Sequence, residues 1–163
     1  MVMDDAWTQT SGFDQRETEG LVSVRVGPQT FGVPVLSVQD VIAPVRIDRV
    51  PRAPDEVAGS LNLRGRIVTA IDMPRRLGMP PRAGGQPHMS VIVERSGELY
   101  ALQVDDVGDV LWLPSGERET APITLSSEWR ALCDGLYRLD GELMLVLNIE
   151  NVLTLCGGPS GNA

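Results

Sequence analysis

Two arginines flank a chain reversal in the stretch GSLNLRGRIVTAID, which runs from Gly59 to Asp72. Leu61 and Leu63 alternate with polar residues before a glycine, and an apolar run follows, which predicts a turn leading into a buried strand. A guanidinium held at such a turn offers planar donors to a carboxylate or carbonyl group of a partner. Arg64 and Arg66 are therefore candidate binding residues, and the alternative is a pair of solvated turn arginines.

Catalytic and metal chemistry find little support among the remaining residues. His88 is the only histidine, and a nucleophile that depends on it would need the Pro- and Gly-rich linker around it to reach a cleft. Asp105 and Asp106 are adjacent in a predicted strand, so their side chains point to opposite faces. Cys133 and Cys156 have no histidine or cysteine at metal-ligand spacing. We expect no enzymatic activity, no cofactor and no metal site.

Length and charge limit the class of protein further. A chain of 163 residues is long enough for one ordinary domain or for two small subdomains that share a core. The net charge of −8 argues against a nucleic-acid partner. No apolar run approaches the roughly 20 residues of a membrane helix, so we expect no direct membrane insertion. The acidic start lacks the basic and apolar regions of a signal peptide, which favours a cytoplasmic protein.

Short strands separated by turn residues account for most of the pattern between two unpatterned ends. Residues 1–19 are predicted to be a disordered acidic tail and residues 156–163 a flexible tail. Strands are predicted over LVSVRV, TFGVPV, SVQDVIA, VRIDRV, MSVIV and LYALQV, with a further hairpin around Asp140 and Gly141. Short helices are predicted over MPRRLGM, over EWRAL after a capping Ser126 or Ser127, and near the end of the chain.

An internal duplication organises these strands. FGVPVLSVQDVI, which starts at Phe31, aligns with YALQVDDVGDVL, which starts at Tyr100, without a gap. GSLNLRGRIVTAID aligns in the same way with the stretch that runs from Gly135 to Asn148. Two copies of one strand-rich unit follow, at about 21–79 and 89–155. Closing a small sheet into a barrel removes its exposed edges, so we predict a mainly β fold of two packed small barrels.

The two copies differ at the turn. Arg64-Gly65 in the first copy stands where the second has Asp140-Gly141. Asp-Gly is a common hairpin turn sequence, and replacing it with Arg-Gly gives up that preference. We interpret the first turn as shaped for contact with a partner rather than for folding.

The segments FGVPVLSVQDVI, VPRAPDEVAGSLNLRGRIVTAID, VDDVGDVLWLP and LNIENVL together resemble the CheW family of chemotaxis coupling proteins, over about residues 20–155. The resemblance implies a single domain of two intertwined five-stranded SH3-like β-barrels with short helices, including one at the C-terminal end. It also implies a non-catalytic adaptor that couples the cytoplasmic tip of chemoreceptors to the regulatory domain of the CheA histidine kinase, in arrays at the membrane.

The resemblance assigns partners to particular positions. Residues that match the receptor-binding positions of the family are Val38, Gly59 and Arg64, and those that match kinase-binding positions are Ile42, Ile67 and Glu119. Two alternatives remain at this stage. One is an adaptor of the same type in another kinase pathway, such as surface motility, and the other is a small ligand-binding double barrel.

Overall fold

The computed structural model describes residues 17–80 and 88–154. Within these residues the chain forms ten strands and three short helices, joined by turns. The strands are β1 Thr18–Val26, β2 Gln29–Pro34, β3 Val38–Ile42, β4 Val57–Leu63, β5 Arg66–Asp72, β6 Met89–Arg95, β7 Glu98–Val104, β8 Asp106–Pro114, β9 Cys133–Leu139 and β10 Glu142–Leu147. The helices are α1 Met73–Arg76, α2 Ser127–Leu132 and α3 Ile149–Val152.

The strands form two five-stranded sheets, and each sheet takes strands from both copies of the duplicated unit. The first sheet has the order β8-β1-β2-β10-β9 and the second the order β3-β6-β7-β5-β4. The first copy therefore gives β1 and β2 to one sheet and β3, β4 and β5 to the other, and the second copy does the reverse. The mainly β, intertwined architecture predicted from the sequence is confirmed.

The strand pairing repeats the duplication residue by residue. In the second sheet β5 and β7 run parallel with Thr69 opposite Tyr100, and in the first sheet β10 and β2 run parallel with Leu145 opposite Phe31. These are the pairs that the alignment of the two copies makes equivalent. Each sheet also has a register shift at the corresponding place, between β3 and β6 and between β1 and β8. The two halves of the molecule are thus two versions of one pairing scheme.

Three apolar clusters hold the sheets together. One small cluster, which includes Val68 and Ile92, lies in the second sheet and receives side chains from all five of its strands. Another, which includes Tyr137 and Met144, lies in the first sheet and is contacted by its edge strands β8 and β9. Because the edge strands share a cluster, each sheet curls around its own interior. The largest cluster, around Phe31, contains residues of both sheets and all three helices.

Side-chain caps begin the three helices. Asp72 accepts a hydrogen bond from the backbone N–H of Arg75, and Asn148 accepts the corresponding bond from Asn151. These two residues are the pair that the duplication aligns at the ends of β5 and β10. Of the two serines considered for α2, Ser126 is the cap, since its hydroxyl accepts from the N–H of Trp129.

Two sequence-based predictions of local structure are wrong. Residues of VRIDRV do not form a strand, and only Asp48 makes an isolated bridge, to Ser60. Pro44 and Pro51 bound this segment and lack the N–H groups that a continuous ladder needs. β1 begins at Thr18 rather than after residue 19, because Thr18 and Glu19 pair with Pro114 and Leu113. The remaining predicted tail residues, 1–16 and 156–163, lie outside the described residues.

Candidate functional site

The turn between β4 and β5 has an unusual backbone. Arg64 has a φ of 52° and Gly65 a φ of 86°, and positive values at both central residues are typical of a type I′ turn. The side chain of Asn62 accepts a hydrogen bond from the N–H of Gly65 at 3.0 Å. Arginine rarely adopts this left-handed conformation. In the second copy Gly141 has a φ of 83°, whereas Asp140 is not among the described residues with a positive φ.

Arg64 joins the two edge strands of the second sheet. Its Nη2 donates to Oδ2 of Asp40 in β3 at 2.9 Å, while Arg64 itself directly follows the other edge strand, β4. The Arg64 side chain is 74% exposed and that of Asp40 31% exposed, so both partners contact solvent. The hydrogen bond from Arg64, with a second from the N–H of Val41, lowers the pKa of Asp40. On the other side of the same turn, Arg66 donates a hydrogen bond to the carbonyl oxygen of Gly97 at 3.2 Å.

The duplicated half lacks this ion pair. By alignment, Asp109 and Asp140 occupy the positions of Asp40 and Arg64, and two carboxylates cannot attract each other. Both sheets curl, yet only one has an arginine between its edge strands. The ion pair is therefore a property of the first copy rather than a requirement of the repeated fold.

Gly59 has a structural role that the sequence did not reveal. Its φ is 153°, and a Cβ at this position would collide with the carbonyl oxygen of Asp48. Asp48 and Ser60 exchange backbone hydrogen bonds of 2.7 and 2.8 Å at this point, so the close approach fastens the loop after β3 to β4. Gly135 is built in the same way against Glu119, with a φ of 140°. The paired glycines thus serve the fold in both copies.

Val38 lies near an apolar groove at the place where the chain passes from the first sheet to the second. Val38 is half-buried and packs against the largest cluster, the one around Phe31. Just before it, a 3₁₀ turn over Val35–Ser37 connects β2 to β3. Leu36 in this turn is 93% exposed, and Trp112 of β8 is 65% exposed. A cavity of about 650 Å³, here called the crossover groove, is lined by Thr18, Glu19, Gly20, Pro34, Val35, Leu36 and Trp112.

The candidate kinase-binding residues fall into two groups. Ile67 in β5 is 69% exposed and lines a cavity of about 400 Å³ with Arg66, Thr69 and the β6–β7 turn. Ile42 ends β3 of the same sheet, where it is half-buried against the small cluster of that sheet. Glu119 belongs to the loop after β8, bridges to Leu136 and accepts from Arg138 at 2.7 Å. Glu119 is thus associated with the first sheet, and the other two residues with the second.

Sequence reasoning missed Asp40, Leu36 and Trp112 as parts of these surfaces. The acidic residue inside the apolar pattern of VQDVI was a usable signal for Asp40. The exposure of Trp112 could not be read from the alternation of apolar residues alone. Trp129, by contrast, packs against the largest cluster: its ring centroid lies 5.5 Å from that of Phe31, and its Nε1–H donates to the carbonyl oxygen of Leu77.

No group of three or more His, Cys, Asp or Glu side chains in residues 17–80 and 88–154 is placed to hold a metal ion. In the same residues no helix has the length and apolar character needed to cross a membrane.

Comparison with known proteins gives one consistent result. The profile of the CheW-like domain matches residues 20–156. A protein named chemotaxis protein CheW from Rhizobium meliloti is 26% identical over 132 residues, which cover 81% of this chain and 85% of the relative. Its counterpart from Helicobacter pylori is 21% identical over 140 residues, covering 86% and 84%. The crystal structure of the scaffolding protein TtCheW from Thermoanaerobacter tengcongensis aligns with a TM-score of 0.77 at 24% identity, covering 86% of this chain and 90% of the other.

The fold defines a scaffold-type protein built from two interleaved five-stranded sheets. The chain belongs to the CheW-like family, because the family profile covers nearly all of its described residues. It is a chemotaxis adaptor that couples receptors to the CheA histidine kinase. The alternatives, an adaptor for another kinase pathway and a ligand-binding double barrel, are not favoured.

Proposed function

We propose that this adaptor holds its two partners on different surfaces. A helical chemoreceptor tip docks in the crossover groove and extends along β3 past Val38 to Arg64, and the regulatory domain of CheA binds the outer face of the second sheet at Ile67. In this arrangement the protein acts in the cytoplasm, attached to membrane receptors through its partners. It performs no covalent chemistry and works by holding receptor and kinase in one assembly.

Exposure of apolar side chains in the crossover groove is the observation that carries the proposal. A leucine that is 93% exposed and a tryptophan that is 65% exposed border the same concave surface. Exposed apolar patches with a concave shape are typical of binding surfaces, and large aromatic side chains often dominate the binding energy there. The apolar face of an amphipathic helix is a suitable occupant.

Arg64 adds charge at some distance along β3 from that groove. Its ion pair with Asp40 holds the guanidinium beside β3, two residues beyond Val38. A guanidinium that is 74% exposed retains donors for a carboxylate or carbonyl of the receptor. Gly59 supports this arrangement indirectly, because it lies in β4, the strand that leads into the turn with Arg64.

Ile67 supports a separate kinase surface. It is the most exposed isoleucine in the second sheet, and it adjoins the Arg66–Gly97 hydrogen bond that ties two turns together. An apolar residue presented on a rigid sheet face suits the packing of a second sheet domain. Ile42 and Glu119 are proposed as further kinase contacts at the edge of the second sheet and near the first sheet, respectively.

Binding assays with each partner alone test the proposal. The full chain and its variants Trp112→Ala and Ile67→Ser are titrated with a receptor hairpin and, separately, with the CheA regulatory domain. We expect Trp112→Ala to weaken only receptor binding and Ile67→Ser to weaken only kinase binding. Ile123→Ser is the matched control, since Ile123 is 84% exposed and lines neither surface. Loss of both interactions in either variant would contradict separate surfaces.

A further inference from the structure

A polar cavity that is separate from the proposed docking surfaces lies between the loop after β3 and helix α1. It has a volume of about 630 Å³, which is within the range of about 300–1,000 Å³ common for small-molecule sites. Three arginines line it: Arg49 and Arg52 from the loop and Arg75 from the helix. All three are exposed. We call this space the arginine cavity.

Among residues 17–80 and 88–154, these three arginines differ from the others because their guanidinium groups have no hydrogen-bond or ion-pair partner. In the part of the chain that the structure describes, every other arginine side chain donates to a carboxylate or a backbone carbonyl oxygen. Within those same residues, the guanidinium groups of Arg49, Arg52 and Arg75 have no such contact. Three guanidinium groups and two carboxylates line the cavity, which leaves it with a net positive charge that raises the local concentration of anions. The whole chain carries a net charge of −8, so a cluster of three arginines without ion-pair partners among the described residues is unusual in it.

The duplicated half shows that the fold does not need these arginines. Asp48 and Glu119 make the same isolated bridge in the two copies. Counting onward from that bridge, Thr120 and Ile123 stand where the first copy has Arg49 and Arg52. Helix α3 has Asn151 in the position of Arg75. One framework thus carries three cations in the first copy and none in the second.

The loop also holds its arginines in a restricted backbone. Pro51 and Pro54 flank Arg52 and fix their own φ angles. Arg52 itself has a φ of 65°, a conformation that residues with side chains rarely adopt. A restricted loop loses less conformational entropy on binding, so its side chains are better prepared for a ligand.

We propose that the arginine cavity binds a small ligand through a single oxyanion group, a phosphate or a carboxylate. Guanidinium groups match the planar, paired oxygens of both groups. Two carboxylates, Asp55 and Asp72, share the cavity; they disfavour a highly charged polyanion and leave acceptors for donor groups of the same ligand. This inference is independent of receptor and kinase binding.

Titration of the full chain with two simple anions tests the inference. Inorganic phosphate and succinate are added at constant ionic strength, and arginine Nε–H signals are followed by NMR. We expect saturable shifts for Arg49, Arg52 and Arg75 with at least one anion. Arg49→Gln and Arg52→Gln should each weaken binding by about tenfold, because each removes a charge-assisted hydrogen bond. The anion that binds more tightly identifies the ligand group.

Arg46→Gln is the matched control, because Arg46 lies on the same loop, has a 90% exposed side chain and does not line the cavity. The affinity of the Arg46→Gln variant for each anion should equal that of the unaltered chain. Shifts that grow linearly with concentration, or that are the same in all variants, would overturn the inference. Binding of a hexaglutamate peptide without binding of either small anion would also overturn it, in favour of an acidic protein partner.

Discussion

Arg64 and Asp40 connect the two edge strands of one sheet through a hydrogen bond of 2.9 Å. The same arginine is a proposed receptor contact, so it has an internal partner before any receptor binds. A receptor carboxylate would compete with Asp40 for the guanidinium or share it. Receptor binding at Arg64 would therefore also affect the ion pair that joins the two edge strands of the second sheet.

Charge reversal at this pair should affect binding more than stability. Arg64→Glu places a carboxylate beside Asp40 and removes the guanidinium from the receptor surface. We expect receptor affinity to fall by about tenfold or more and the melting temperature to change little, because exposed ion pairs contribute little to stability. Arg64→Gln, which adds no repulsion, separates loss of the donor from the new negative charge. Receptor binding that stays unchanged in pull-down assays would remove Arg64 from the receptor surface.

Titration of Asp40 should report the ion pair directly. Its pKa lies below the ordinary value of 3.8 because Arg64 and the N–H of Val41 donate to its carboxylate. A carboxylate whose pKa is lowered in the folded chain stabilises that chain above its ordinary pKa, and the contribution is lost as the pH falls through the lowered value. NMR titration should show the Asp40 pKa rising towards 3.8 in Arg64→Gln. An unchanged pKa in that variant would mean that the pair does not form in solution.

Gly59 should be required for folding rather than for recognition alone. Gly59→Ala forces a Cβ against the carbonyl oxygen of Asp48 at a φ that favours glycine. We expect a loss of at least about 1–3 kcal/mol in the free energy of unfolding, measured by urea denaturation. Gly65→Ala is the comparison, since a Cβ there meets no atom within 4 Å although φ is 86°. Equal losses in the two variants would show that backbone conformation, not the close approach, sets the cost.

The thiol of Cys133 should be protected until the chain opens. Cys133 is 8% exposed, and burial raises its pKa from 9.0 to about 12. Because the thiolate is the reactive form, alkylation of the folded chain should be about a thousandfold slower than that of the urea-unfolded chain at pH 8. The measurement uses a Cys156→Ser background and mass spectrometry. Similar rates in the two states would show that the β9 region opens readily.

The duplication made much of the fold predictable from the sequence. Helix caps recur at the aligned positions Asp72 and Asn148, and close backbone approaches recur at Gly59 and Gly135. They recur because both copies begin a helix and fasten a loop to a strand at the same points. The strand predicted over VRIDRV does not form, because its apolar residues alternate like those of a strand but the flanking prolines prevent a continuous hydrogen-bonded ladder. Local pattern alone does not reveal which N–H groups will find partners.

The docking surfaces were less predictable for a different reason. Alternation assigns residues to one of two faces, but it does not say which face another sheet covers. Leu36 and Trp112 are exposed because the chain changes sheets between β2 and β3, a consequence of tertiary arrangement. The contact between Asp40 and Arg64 likewise depends on the curl that brings two sheet edges together. The sequence indicated Arg64 through its turn, whereas its partner required the structure.

Because each copy contributes strands to both sheets, the two sheets should not unfold independently. β5 pairs with β7 and β2 pairs with β10, so neither sheet can be completed by one copy alone. A chain cut between the copies would leave two fragments, each with unpaired edges that only the other fragment can satisfy. The regions proposed to bind receptor and kinase therefore gain or lose their structure together, and we expect no stable, partly unfolded adaptor that keeps one of the two proposed surfaces while losing the other.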